Sequence, residues 1–165
     1  MPPTLIRLAA AVDLPAINDI YNHYVPISTT TYDVEPMPLA ERERWFAGRQ
    51  PIHPVTVACQ GETIVGWGSL HAFRHKPGYR FTVENSVYVH PDHQRQGIGS
   101  ALLVDQTARA RDLGLHAIVT GIDAEQTSSI ALHAKHGFAE VARFPEIGHK
   151  FDRWLDVVFM QLLLG

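Results

Sequence analysis

A single cysteine, Cys59, leaves no intrachain disulfide to form in 165 residues, so the chain is expected to fold on packing alone in a reducing, cytoplasmic setting. It sits in VTVACQGE, where a small buried side chain at a strand end is the plain reading and a nucleophile the minor one. Long apolar runs are missing too. VVFM, with LLL just past Gln161, falls far short of the roughly 20 residues that span a bilayer. The opening MPPTLIRLAA lacks the basic start and apolar centre of a signal peptide. An excess of positive charge is also absent: 14 basic residues are scattered among 17 acidic ones, for a net charge of −3. That removes the electrostatic case for nucleic acid. Repeats, low-complexity tracts and linker-like stretches do not occur, so 1–165 reads as one domain. What is present, 45% hydrophobic and 19% charged residues, is the composition of a chain that buries a proper core.

TLIRLA predicts a short first strand. Asp13 is placed to cap a helix with Pro15 in its first turn, because Leu14, Ile17, Ile20, Tyr21 and Tyr24 recur at helical spacing. The proline-rich VPISTTTYDVEPMP reads as a loop with at most one short extended piece. A second helix is expected in PLAERERWFAGR, closed by Gly48. VTVACQGETIVGWGSLH reads as two strands around a Gln60-Gly61-Glu62 turn, and FTVENSVYVH as another after the basic loop AFRHKPGYR. Gly97 to about Leu113 predicts a helix, HAIVTGI a strand, SSIALHAKHGF a helix ending at Gly137, and VVFMQLLL a buried last strand. Strands adjoin strands in the first half and alternate with helices in the second. The expected class is α/β, a mixed sheet with helices on both sides rather than a doubly wound array.

The stretch ENSVYVHPDHQRQGIGSALL joins a strand to a helix through a basic, glycine-punctuated loop. A nucleoside-triphosphate P-loop needs Lys and then Ser or Thr after its last glycine, but Gly99 is followed by Ser100 and Ala101. A dinucleotide fingerprint needs a third glycine where Leu102 stands, and a shorter turn than His90 to Gln96. QRQGIG instead supplies Gln94, Gly97 and Gly99 in the pattern Gln or Arg, two residues, Gly, one residue, Gly or Ala. Bare main chain can approach an anion closely there, with amides aimed inward at the positive end of a helix dipole. A metal-free pyrophosphate fits. The plain alternative is a glycine-rich connection that merely starts a helix. Two histidine pairs, His90/His93 and His133/His136, have no cysteine or carboxylate to complete a four-ligand set, so no metal is expected.

On these residues the chain resembles the GNAT N-acetyltransferases, and within them the phosphinothricin acetyltransferase-like group, which includes methionine sulfoximine and methionine sulfone acetyltransferases. VENSVYVHPDHQRQGIGSALL is similar to that group's strand and pyrophosphate loop. NHYVPISTTTYDVEP resembles its substrate-side segment, and SIALHAKHGF and GHKFDRWLDVVFMQ its second half. The resemblance implies a GNAT-like fold: a mostly antiparallel central sheet, splayed at the acetyl-CoA site. It implies acetyl transfer from acetyl-CoA to a primary amine, with no metal. Glu84 then stands at the family's general base, where partial burial would raise its pKa toward a useful value. His133, in LHAKHGF, stands where other members carry a tyrosine, either as acid for the departing thiolate or as a hydrogen-bonding partner of the coenzyme. The pyrophosphate cradle falls on Gln94, Arg95, Gln96, Gly97, Ile98, Gly99 and Ser100. The main chain at Val87 and Val89 would take the pantetheine arm, one amide there being placed to hold the developing oxyanion. Gln126 replaces the usual asparagine three residues before Ser129, two further coenzyme contacts. Asp152 stands where glycine is usual.

For the substrate, Arg74 in FRHKPGYR offers a planar grip on a carboxylate, and Tyr32, Tyr79 and Trp154 are candidate pocket walls. The implied partner is a small amino acid or analogue. Homodimerisation follows from the resemblance alone. Two other readings stay open: an acetyltransferase for peptide or protein N-termini, and a non-catalytic acyl-CoA sensor, which would have no use for Glu84.

Overall fold

The computed structural model describes residues 2–165. Its seven-stranded sheet has the order β1-β2-β3-β4-β5-β7-β6. The strands are β1 (Thr4–Leu8), β2 (Val55–Gln60), β3 (Thr63–Ala72), β4 (Thr82–Val89), β5 (Ala117–Asp123), β6 (Ala139–Lys150) and β7 (Arg153–Leu163). The helices are α1 (Leu14–Tyr24), α2 (Leu39–Ala47), α3 (Ile98–Asp112) and α4 (Thr127–Lys135). Every neighbouring pair is antiparallel except β4–β5. The mixed α/β class and the GNAT-like sheet expected above are what the chain forms.

Strand alternation, inverted on β3 by a bulge that leaves Val65 unpaired, sorts the core into two faces. Val55, Val57, Cys59 and Trp67 pack with Ile17, Ile20 and Tyr21 of α1. Ala58 and Val65 point the other way, onto Ile98 and Leu102 of α3, next to a cluster of Leu70, Val83, Leu103, Ile118 and Phe138. Helices therefore cover both faces. Each such fully buried aliphatic side chain contributes about 1.5–3 kcal/mol relative to exposure. Cys59 is a buried free thiol in the α1 layer.

One local reading needs correction, and two features went unread. Asp13 stands at the N-cap of α1, but its carboxylate takes a two-point bond from Arg7 and one from the Ala10 amide, behind the helix rather than in front of it. In α2 the buried side chain is Arg42, stacked against Tyr21, Trp45 and Trp67. Finally, AEVARFPEIGHK is a strand, β6, at the sheet edge; of its two register shifts against β7, one falls at Val141 and the other spans Pro145 to Ile147. β6 turns into β7 through Phe151 and Asp152, both at φ of +55°. Two left-handed residues in a two-residue loop match the twist of a hairpin. Asp152 thus adopts the conformation that glycine would reach at less cost.

What positions the site is a fork. β4 pairs with β5 only at Thr82, Val83 and Glu84. Beyond Glu84, β4 stays with β3 through Val89, while β5 stays with β7 through Asp123. Among the described residues no helix is long and apolar enough to cross a membrane.

Candidate active site

The fork opens two connected cavities. The narrower, about 80 Å³, lies between Asn85–Tyr88 of β4 and Thr120–Asp123 of β5, and Gln126, Ser129 and His133 of α4 complete it. The wider, about 380 Å³, extends to Thr29–Tyr32, His71, Glu84, Ile147 and Phe159.

Main-chain parity decides what β4 presents to the gap. Thr82 O accepts from Phe73 N, and His90 N donates to Val65 O, so the even-numbered groups face β3. The amides and carbonyls of Asn85, Val87 and Val89 therefore face the splay. Val89 O is taken by the Tyr24 hydroxyl at 2.5 Å, and that hydroxyl also accepts from Gln94 Nε2 at 2.8 Å. Val87 keeps both of its main-chain groups free of a backbone strand partner on that side.

The loop after β4 is shaped by two left-handed residues, Arg95 at φ +61° and Gly97 at φ +80°. Gly97 caps α3, and the first intrahelical bond is Ala101 N to Gly97 O at 3.0 Å. The amides of Ile98, Gly99 and Ser100 are thus without helical acceptors, as in any first turn. The Ile98 side chain is buried in the core, so this residue can offer only main chain. At Gly99 a Cβ would press on Leu132 at 3.1 Å, which makes it a packing glycine for α3 on α4. Ser100 Oγ is bonded to His136 Nε2 at 2.6 Å, and Gln96 Oε1 is 3.5 Å from Gln60 Nε2. Arg95 and Gln94 are exposed.

Glu84 is half-buried at the apex of the fork, with His71 Nε2 3.7 Å from its carboxylate across the β3–β4 ladder. Gly121 leaves room beside it: a Cβ there would come within 3.6 Å of Glu84 Oε1. Tyr32 lines the wider cavity and donates to Asp123 Oδ2 at 2.6 Å, and burial together with that carboxylate pushes its phenol pKa up. Asp123 also accepts from Glu125 N at 2.9 Å. Gln126 Nε2 donates to Thr29 Oγ1 at 3.0 Å, so the longer amide bridges α4 to the substrate-side loop. Arg74 and Tyr79 are not brought to this cleft. Both are exposed, the guanidinium lying over Phe73 and Tyr79. Trp154 stands against His149 on the β6–β7 hairpin, 64% exposed.

His133 is buried, and its hydrogen bonds define its tautomer. Nδ1 lies 2.8 Å from the Ser129 carbonyl, which can only accept, so Nδ1 carries the proton. Nε2 is then the acceptor for Asn85 Nδ2 at 3.2 Å. Burial lowers the pKa of His133 from 6.5; the Ser129 carbonyl pulls the other way and His136 pushes it further down. A histidine held neutral by the fold costs stability in acid: below about pH 6.5 the unfolded chain binds a proton that the native ring refuses. The stability present above 6.5 is therefore lost as pH falls toward the folded value. We expect the Tm difference between pH 7.5 and 5.5 to narrow in His133→Gln; an unchanged difference would remove this residue from the acid response.

Three polar groups at the site escaped sequence reasoning. Asn85 and Gln106 are buried and bonded to one another, and Lys150, 3% exposed, holds the Ser28 and Thr31 carbonyls at 2.7 Å each. No group of three or more His, Cys, Asp or Glu side chains suited to a metal occurs among the described residues.

A forked mixed sheet with a glycine-capped helix at its open end is the architecture of an acyl-CoA-dependent acyltransferase. The sequence pattern of the acetyltransferase (GNAT) family matches residues 17–138, and the chain belongs to that family. An L-amino acid N-acyltransferase of Escherichia coli is 41% identical over 96% of this chain and 93% of its own. An L-methionine sulfoximine/L-methionine sulfone acetyltransferase of Salmonella typhimurium is likewise 41% identical, over 96% and 94%. A phosphinothricin N-acetyltransferase of Streptomyces coelicolor is 33% identical over 94% of each. A Salmonella typhimurium protein solved with its cofactor acetyl-CoA superposes with a TM-score of 0.94 at 40% identity, covering 98% of this chain and 94% of that one. A ribosomal-protein-alanine N-acetyltransferase of Brucella melitensis gives 0.95 at 38% identity, covering 97% and 99%. The protein is an acetyltransferase whose co-substrate is acetyl-CoA.

Proposed function

We propose that the protein acetylates the amino group of a small amino acid or analogue of the methionine sulfoximine, methionine sulfone or phosphinothricin type, with Glu84 as general base. The observation that carries this is the position of Glu84 at the apex of the fork, where a cavity of about 380 Å³ meets the narrow one between β4 and β5. A small amine enters from the wide side and the coenzyme arm from the narrow side. The free amine attacks the thioester carbonyl: an N–C bond forms, the C–S bond breaks, the amine proton passes to Glu84, directly or through a water, and the thiolate leaves. A thiol of pKa near 8.5 departs without obligatory protonation, which suits a neutral His133 whose Nε2 is already an acceptor. Free main-chain groups at Val87 take the arm, and the amides of Arg95 to Ser100 hold the pyrophosphate. Gln126 and Ser129 line the arm's channel.

Glu84 and Asp123 make the wide cavity attractive to an ammonium group, and the hydroxyls of Thr29, Thr30 and Thr31 offer partners for sulfoximine, sulfone or phosphinate oxygens. The names of the relatives favour different substrates: the sulfoximine and phosphinothricin enzymes point to small acids, and the Brucella structure to an alanine of a ribosomal protein. Ile147, Val157 and Phe159 give the cavity an apolar wall, which suits the short side chain of a small acid. A thiol-release assay with acetyl-CoA against phosphinothricin, methionine sulfoximine, methionine sulfone and short alanine-initiated peptides decides. Saturable turnover on a small acid is expected. Turnover on peptides alone would move the assignment to N-terminal acetylation, and acetyl-CoA binding without any turnover would make the protein a sensor.

A further inference from the structure

The side chain of Asn85 is 5% exposed, and its Oδ1 has no hydrogen-bond partner among the described residues. A buried acceptor left open costs about 1–3 kcal/mol, so such an atom calls for a ligand. The direction of its amide is set by a chain of bonds. Gln106 Nε2 reaches the Ser86 carbonyl at 2.9 Å and the Ser69 carbonyl at 3.4 Å. Carbonyls only accept, so Gln106 turns its Oε1 toward Asn85. Asn85 must then present N–H, and Nδ2 donates to Gln106 Oε1 at 3.2 Å and to His133 Nε2 at 3.2 Å. At the far end His133 Nδ1 donates to Ser129 O. Both Nδ2 hydrogens are used, and flipping the amide would set two oxygens against each other. The open group at Asn85 is therefore an acceptor and nothing else.

Its place selects the donor. Asn85 lies on the α3/α4 face of β4, opposite in alternation to Glu84, and it lines the narrow cavity. That cavity runs along the stretch where β4 and β5 have parted, so an extended chain can lie beside the unpaired main chain of β4. Along β4 the glycine-rich loop follows Val89, so moving back from Val89 to Asn85 runs from the pyrophosphate end of the coenzyme toward the reacting thioester. We propose that Asn85 Oδ1 accepts the N–H of the secondary amide of acetyl-CoA nearest the thioester, and that Gln106 is the positioning residue that aims this oxygen. The proposal rests on the reading that the coenzyme arm lies in the splay.

The test is a cycle of protein and ligand changes read by calorimetry. The ligands are acetyl-CoA, an analogue with an ester oxygen in place of that amide N–H, and adenosine 3′,5′-bisphosphate, which lacks the arm. Asn85→Ala should weaken acetyl-CoA about tenfold, and the wild type should lose about tenfold for the ester analogue. The variant should show no further loss with the analogue, and adenosine 3′,5′-bisphosphate should bind both proteins alike. Equal loss for the bisphosphate assigns Asn85 a structural role and overturns the proposal. So does an additive loss in the double change, or a wild type indifferent to the ester. The last comparison needs no variant and stands if Asn85→Ala fails to fold. A wild type that binds the bisphosphate but gains nothing from the arm would instead overturn the placement of the arm in the splay.

Discussion

Glu84→Gln is expected to lower kcat by about 10²- to 10⁴-fold while acetyl-CoA binding, read by calorimetry, stays within about twofold. The substitution keeps the size and hydrogen-bonding span of the side chain and removes only its ability to take a proton. Nothing packed against Glu84 should shift: His71 sits 3.7 Å away across the ladder, and bare Gly121 faces it on β5. An amino acid amine is mostly protonated at neutral pH, and only its free form attacks, so losing the acceptor leaves the reaction dependent on the small unprotonated fraction. Raising the pH should then recover part of the variant's rate. A variant that keeps full kcat would remove Glu84 from catalysis. Loss of acetyl-CoA binding along with rate would mean that Glu84 shapes the fork and does not serve as base.

The fork itself was only partly legible. Apolar runs announced β2 through β5 and β7, because those strands bury at least one face. β6 was missed since AEVARFPEIGHK is an edge strand, mostly exposed and interrupted at Pro145. The turn into α3 was legible because its geometry is local: six residues carry the left-handed turn and the helix start. Asn85 and Gln106 were not, since each reads as an ordinary polar residue until β4 and α3, 21 positions apart, bring them together. Arg74 was singled out for charge near Glu84 in sequence, yet β3 and β4 run antiparallel and carry their connecting loop away from the splay. Proximity along the chain was the wrong measure there.

Lys150 shows the same limit most sharply, and its replacement by methionine should have the second largest effect. Its ammonium is buried and bonds the carbonyls of Ser28 and Thr31, residues about 120 positions earlier. Those carbonyls belong to the loop whose Thr29–Tyr32 wall the wide cavity. The loop forms no strand and is held from four directions by side chains: Lys150 from β6, Gln126 of α4 on Thr29, Tyr21 of α1 on Thr31, and Asp123 of β5 on Tyr32. Next to Lys150 on the same strand, Gly148 lets the Tyr32 ring lie against bare backbone, where any Cβ would overlap it. Burial lowers the lysine pKa, and the Asp33 carboxylate pulls it back toward its usual range. Lys150→Met keeps the stem and strands two buried carbonyls, a cost of about 2–4 kcal/mol. Thermal melts should show a drop of several degrees. Because the loosened wall lines chiefly the wide cavity, with Thr30 alone reaching the narrow one, KM for the amine should rise several-fold and acetyl-CoA affinity should change less. A rise confined to acetyl-CoA would show that this loop serves the coenzyme through Gln126 and Thr29, and that its wall does not select the amine.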